Sequence, residues 1–126
     1  MWALNETLLI QEYVAERPGT DIRVIVVGGR SLGAMRRTAK LGRFRANVHQ
    51  GAIVEPIALD ERMEWLALRA TEAMGLEIAG VDLVECTDGY SVIEVNSGPG
   101  FEGFEKATGV NVAAETFRYA AFRISP

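Results

Sequence analysis

The feature that most limits how this 126-residue chain can fold is the stretch I-A-G-V-D-L-V-E-C-T-D-G-Y-S-V-I-E-V-N over residues 78–96. Two strand-like runs flank Thr87-Asp88-Gly89, a cluster of turn formers, so the stretch reads as a β-hairpin. Its register decides which side chains meet, because a one-residue slip moves every side chain to the other face. A two-residue turn at Asp88-Gly89 sets Asp82 opposite Val95, away from Glu94. A three-residue turn, Thr87-Asp88-Gly89 with Gly89 left-handed, sets Cys86 opposite Tyr90 and Asp82 opposite Glu94. Only the second places Val81, Leu83, Ile93 and Val95 on one apolar face, and it is the expected register. Glu94 and Asn96, two apart, share a face, so Asp82, Glu94 and Asn96 cluster with cross-strand Cβ atoms about 5 Å apart.

Adjacent carboxylates repel unless a proton or a cation lies between them. A hard cation suits the trio: Mg²⁺ takes oxygen ligands at about 2.1 Å, commonly one or two carboxylates plus substrate phosphates, and an amide oxygen can add another. Spacing alone gives equal weight to a solvated polar face. Ser97-Gly98-Pro99-Gly100 follows Asn96 as a shaped loop at the strand end, where sites often lie.

Upstream, residues 7–14 and 22–27 read as strands separated by Arg17-Pro18-Gly19, and Gly28-Gly29 turns the second into a third strand at 31–37. Residues 40–50 read as a loop or irregular strand. In 60–74 the residues Met63, Leu66, Ala67, Ala70, Ala73 and Met74 follow helical spacing, with Gly75 as the C′ residue. A second helix is expected over 112–122. Hairpins with helices between and after them make an α+β fold, an antiparallel sheet with flanking helices. Composition agrees with a single globular domain, at 48% apolar and 24% charged residues.

The net charge of −4 offers no attraction to nucleic acid or an anionic membrane, so any anion must be held locally. Apolar runs such as 24–27 fall far short of the roughly 18 residues of a membrane span. The first six residues lack a basic segment and do not read as a secretory signal. Cys86 is the only cysteine, which excludes an internal disulfide and makes the cytoplasm the expected compartment.

The segment D-L-V-E-C-T-D-G-Y-S-V-I-E-V-N-S-G-P-G-F-E-G-F-E-K-A-T-G-V-N-V-A over residues 82–113 resembles the RimK-type ATP-grasp ligases, which attach glutamate through an acyl-phosphate. L-L-I-Q-E-Y-V at 8–14, D-I-R-V-I-V-V-G at 21–28 and K-L-G-R-F-R-A-N-V-H at 40–49 are similar to that family in the same order, so nearly the whole chain is covered. The resemblance implies that Asp82, Glu94 and Asn96 hold two Mg²⁺ or Mn²⁺ ions bridging the ATP phosphates. It implies that Gln11, Glu12 and Tyr13 line the adenine pocket and that Asp21 reaches the ribose. Arg45 and Asn47, on one side of an extended 43–49 segment, would contact the phosphates and stabilise transferring charge, and Arg37 would face the reacting carboxylate. Without the family, a solvated cationic strip outweighs that role, and His49 is more often structural than a ligand. The departures at Ala46, Gln50, Gly98, Phe101 and Phe104 bear on the acceptor pocket.

The resemblance covers the C-terminal part of such ligases: part of a lid subdomain at about 1–20, then the metal- and nucleotide-binding subdomain. The family's N-terminal domain, glycine-rich flap and phosphate-binding lysine are expected to be missing, since Lys40 and Lys106 are the only lysines. Two functions follow. One is a portion of a carboxylate–amine ligase, poor as an enzyme alone, with ATP, a peptide or small carboxylate acceptor and an amine donor of the glutamate type. The other is a non-catalytic module that binds nucleotide or dimerises. No nucleic-acid or membrane partner is expected; a homo-oligomer is compatible with either.

Overall fold

A computed structural model describes residues 19–39 and 52–124. Five strands, β1 (Thr20–Val27), β2 (Arg30–Thr38), β3 (Ile53–Ile57), β4 (Ile78–Cys86) and β5 (Gly89–Asn96), form one sheet in the order β3-β2-β1-β4-β5. Every neighbouring pair is antiparallel. Three helices, α1 (Glu61–Ala73), α2 (Glu102–Thr108) and α3 (Val112–Ile124), complete the expected α+β fold. Among the described residues no helix is long and apolar enough to cross a membrane.

Strand alternation divides the core in two. Ile22, Val24 and Val26 of β1, Ala34 of β2, and Ala79, Val81 and Leu83 of β4 pack against Met63 and Ala67 of α1. On the other face Ile25, Val27 and Met35 pack against Phe104 of α2 and Val112 of α3. Side chains hold the starts of α1 and α3. The Asp60 carboxylate accepts from the Met63 amide at 2.8 Å and from the Tyr90 hydroxyl at 2.9 Å, an N-cap that also ties α1 to β5. Glu105 of α2 accepts from the Val112 amide at 2.7 Å, while the Asn111 side chain accepts from Ala114 at 2.8 Å. Gly28 and Gly29 both take positive φ in the β1–β2 turn, as expected. A Cβ on Gly28 would overlap the Tyr119 ring, so α3 docks on this turn only because the residue is glycine.

Two elements are additional to the expected ones. β3 contains Pro56, which a central strand excludes; at the sheet edge its missing N–H is tolerated. The seven-residue α2 is too short for a periodic signal and starts just past Pro99-Gly100. The 78–96 hairpin also departs from the expected register near its turn. Cys86 lies opposite Gly89, not Tyr90, so the turn is Thr87-Asp88. Glu85 faces Tyr90 and Leu83 faces Val92, and the register then shifts so that Asp82 lies opposite Glu94. The additional residue, Ile93, sits in a β-bulge of β5 rather than in the turn. The bulge switches the parity of the strand, so Tyr90, Val92 and Val95 face the α1 core, and Val92 takes the place expected for Ile93.

Candidate functional site

The face of β1 that carries Ile25 and Val27 against α2 and α3 carries Asp21 and Arg23 toward the strand's N-terminal end. Register brings their partners alongside: Arg37 opposite Asp21, Asp82 opposite Arg23, and Glu94 opposite Asp82. A charged row therefore crosses four strands on one face.

Arg37 binds Asp21 through both ends of its fork, Nε to Oδ1 and Nη2 to Oδ2, each at 2.7 Å. The same Nη2 lies 3.1 Å from Asp82 Oδ2. Arg23 donates from Nε to Asp82 Oδ1 and from Nη2 to Asp82 Oδ2, the latter at 3.1 Å. The Arg23 and Asp82 side chains are 9% and 3% exposed. Two guanidiniums and two carboxylates balance, which is the condition for burying such charges. Burial holds the Asp21 carboxyl above its ordinary value, against the lowering pull of its hydrogen bond to Arg37. Burial disfavours the Arg37 charge as well, but the bond to Asp21 and the charge of Asp82 outweigh it and raise the guanidinium further.

Glu94 stands at the exposed edge of this row and makes no hydrogen bond or ion pair among the described residues. Asn96 lies opposite Gly80 on the same face. Its Oδ1 accepts from the Gly98 amide at 2.9 Å, opening the Ser97–Gly100 loop as an Asx turn. Among the described residues no cluster of three His, Cys, Asp or Glu side chains is placed for a metal. The donor set here is two carboxylates and an amide, all oxygen, and it fits a hard cation. Among the described residues Glu94 has no partner, Asn96 Oδ1 keeps one lone pair, and Asp82 Oδ1 keeps one beside its bond to Arg23.

The structure thus brings together Asp82, Glu94 and Asn96, with Asp21 and Arg37 joined to the cluster. Gln11, Glu12, Tyr13, Arg45 and Asn47 lie outside the described residues. Arg23 is the member that sequence reasoning passed over. Its signal was its place two residues after Asp21 in an apolar strand, which puts both charges on one face.

The sequence profile of the RimK-like ATP-grasp domain matches residues 1–120. The chain belongs to the RimK-like ATP-grasp family. It is 45% identical over 123 residues to a probable alpha-L-glutamate ligase of Picosynechococcus sp., covering 98% of this chain and 41% of that protein. Identity to the ribosomal protein bS6–L-glutamate ligase of Salmonella newport is 41%, with the same two coverages. The chain therefore spans 41% of the length of these RimK-like relatives. Among solved structures it is similar to the ATP-grasp ligase PsnB, complexed with a phosphomimetic variant of its minimal precursor, Mg and ADP. There the TM-score is 0.68 at 25% identity, covering 85% of this chain and 33% of that one. The D-alanine–D-alanine ligase of Bacillus anthracis shares the fold, with a TM-score of 0.61 at 20% identity over 83% of this chain and 40% of that one.

Proposed function

We propose that this chain is the metal- and nucleotide-binding portion of an ATP-dependent carboxylate–amine ligase of the glutamate type, acting in the cytoplasm on a peptide or small carboxylate. The observation that carries the reading is the pairing of buried Asp82 with exposed Glu94, unpartnered among the described residues, beside Asn96, in a chain of the RimK-like family. In this reading the acceptor carboxylate attacks the terminal phosphorus of ATP and releases ADP. The amine nitrogen then attacks the acyl carbon, forming the amide and expelling phosphate. Mg²⁺ or Mn²⁺, two ions per site, offsets phosphate charge when bound.

The chain's own residues bind and orient. Asp82, Glu94 and Asn96 would hold the ions, with Arg23 and Arg37 fixing Asp82 from behind. Asp21 would take the ribose through the lone pairs that Arg37 leaves, and Arg37 Nη1 would face the acceptor carboxylate. Gln11, Glu12 and Tyr13 would line the adenine pocket; Arg45 and Asn47 would meet the phosphates. The domain organisation follows: part of a lid subdomain at about 1–20, then the metal- and nucleotide-binding subdomain.

The test is ADP release with Mg²⁺ and glutamate, measured for the chain alone and joined to the remaining region of a relative. The expected result is little turnover alone and turnover in the joined protein that Glu94→Gln abolishes. No turnover in either form would overturn the ligase reading and leave a non-catalytic nucleotide-binding or dimerisation module.

A further inference from the structure

Gly80 lies on β4 two residues before Asp82, on the same face, opposite Ile25 of β1 on one side and Asn96 of β5 on the other. Its φ is not left-handed, so the backbone does not require glycine here. The space above it does. A Cβ at this position would lie 2.8 Å from Pro99 Cβ, 3.1 Å from Arg23 Cδ and 3.2 Å from Arg23 Nε. Arg23 Nε is the atom that donates to Asp82 Oδ1. Pro99 belongs to the loop that Asn96 anchors through Gly98. The bare face of Gly80 is thus where the loop following one candidate ligand meets the guanidinium that grips another.

We propose that Gly80 is a positioning residue of the candidate metal site: by lacking a side chain it lets Pro99 and the Arg23 stem lie flat on β4, and Arg23 in that pose fixes the Asp82 carboxylate. The proposal rests on the metal reading above. An alanine at 80 must displace Pro99, whose ring is rigid, or lift Arg23, whose Nε then leaves Asp82. Groups that orient a metal ligand from behind typically change metal affinity about 10–100-fold when they are lost.

The test is titration of the full chain with Mn²⁺ in the presence of ADP, followed by the resonance of free Mn²⁺, with thermal unfolding of each variant alongside. Gly80→Ala is expected to bind Mn²⁺ about 10–100-fold more weakly than the parent. Pro99→Gly in the Gly80→Ala background is expected to restore affinity to within about twofold of Pro99→Gly alone, because neighbouring substitutions that share one clash are not additive. A lesion confined to packing would lower the unfolding midpoint and leave the Mn²⁺ affinity of the folded chain unchanged; that outcome, or failure of Pro99→Gly to rescue affinity, overturns the proposal. Arg23→Lys, which keeps the charge and loses the fork, is expected to weaken Mn²⁺ by a similar factor and decides the matter if Gly80→Ala does not fold. Parent-like affinity in Gly80→Ala or Arg23→Lys overturns the positioning role alone. A parent chain that takes no Mn²⁺ overturns the metal reading and this role together.

Discussion

Asp82→Asn separates the folding role of the charged row from its binding role. Asp82 is almost fully buried and receives three guanidinium contacts, two from Arg23 and one from Arg37. Asparagine keeps one acceptor but turns an amide N–H₂ toward guanidinium N–H groups, and it removes the charge that balances Arg23. Arg37 keeps its two bonds to Asp21, so the loss falls mainly on Arg23, whose side chain is 9% exposed. Breaking a buried pair by removing one partner costs about 3–5 kcal/mol. Total stability of a domain is about 5–15 kcal/mol, so this is about a fifth of it or more. With a urea slope of about 2 kcal/mol/M the unfolding midpoint should fall by roughly 1.5–2.5 M. Glu94→Gln, exposed and unpartnered among the described residues, should stay within about 0.5 kcal/mol of the parent. Metal-free urea denaturation by circular dichroism compares the two. A loss below about 1 kcal/mol in Asp82→Asn would refute the balanced, buried row, since it falls in the range of exposed ion pairs.

Glu105→Ala removes the carboxylate that accepts at the start of α3, and should cost about 1–2 kcal/mol in thermal unfolding; an unchanged midpoint would show that Asn111 caps α3 alone. Gly28→Ala demands a positive φ of an L-residue and overlaps Tyr119, and should cost about 1–3 kcal/mol by the same measurement, whereas parent stability would mean α3 does not dock on the turn. The raised Asp21 value carries a sign. The folded chain holds that proton more tightly, so the contribution is complete below the ordinary 3.8 and is lost as pH climbs through the higher folded value. Relative to Asp21→Asn, the parent should therefore lose urea stability as pH rises above the ordinary 3.8, and a relative gain would contradict the direction.

Much of the scaffold was legible because local pattern and burial agree in it. Ile22, Val24 and Val26 alternate with Asp21, Arg23 and Ile25, and the 60–74 spacing matches the face of α1 that carries Met63 and Ala67. The pairing of Asp82 with Glu94 was legible for a subtler reason. Sequence counts how many residues separate two partners, and an additional residue in the turn or at Ile93 gives the same pairing at Asp82. It could not say where that residue sits, so the turn was misplaced while the acids were not. The grip of Arg23 on Asp82 was illegible because it needs β1 beside β4, a pairing of residues far apart in the chain. Gly80 was equally silent, since its reason is a neighbour's ring and not its own backbone.

The central claim is that the exposed edge of this row, Glu94 above all, binds a metal-bound nucleotide. Calorimetric titration of the chain with Mg²⁺-nucleotide tests it most directly, because Glu94→Gln should leave folding nearly untouched. The expected result is binding by the parent that Glu94→Gln weakens strongly, by about tenfold or more. Equal affinity in the two proteins would contradict the assignment.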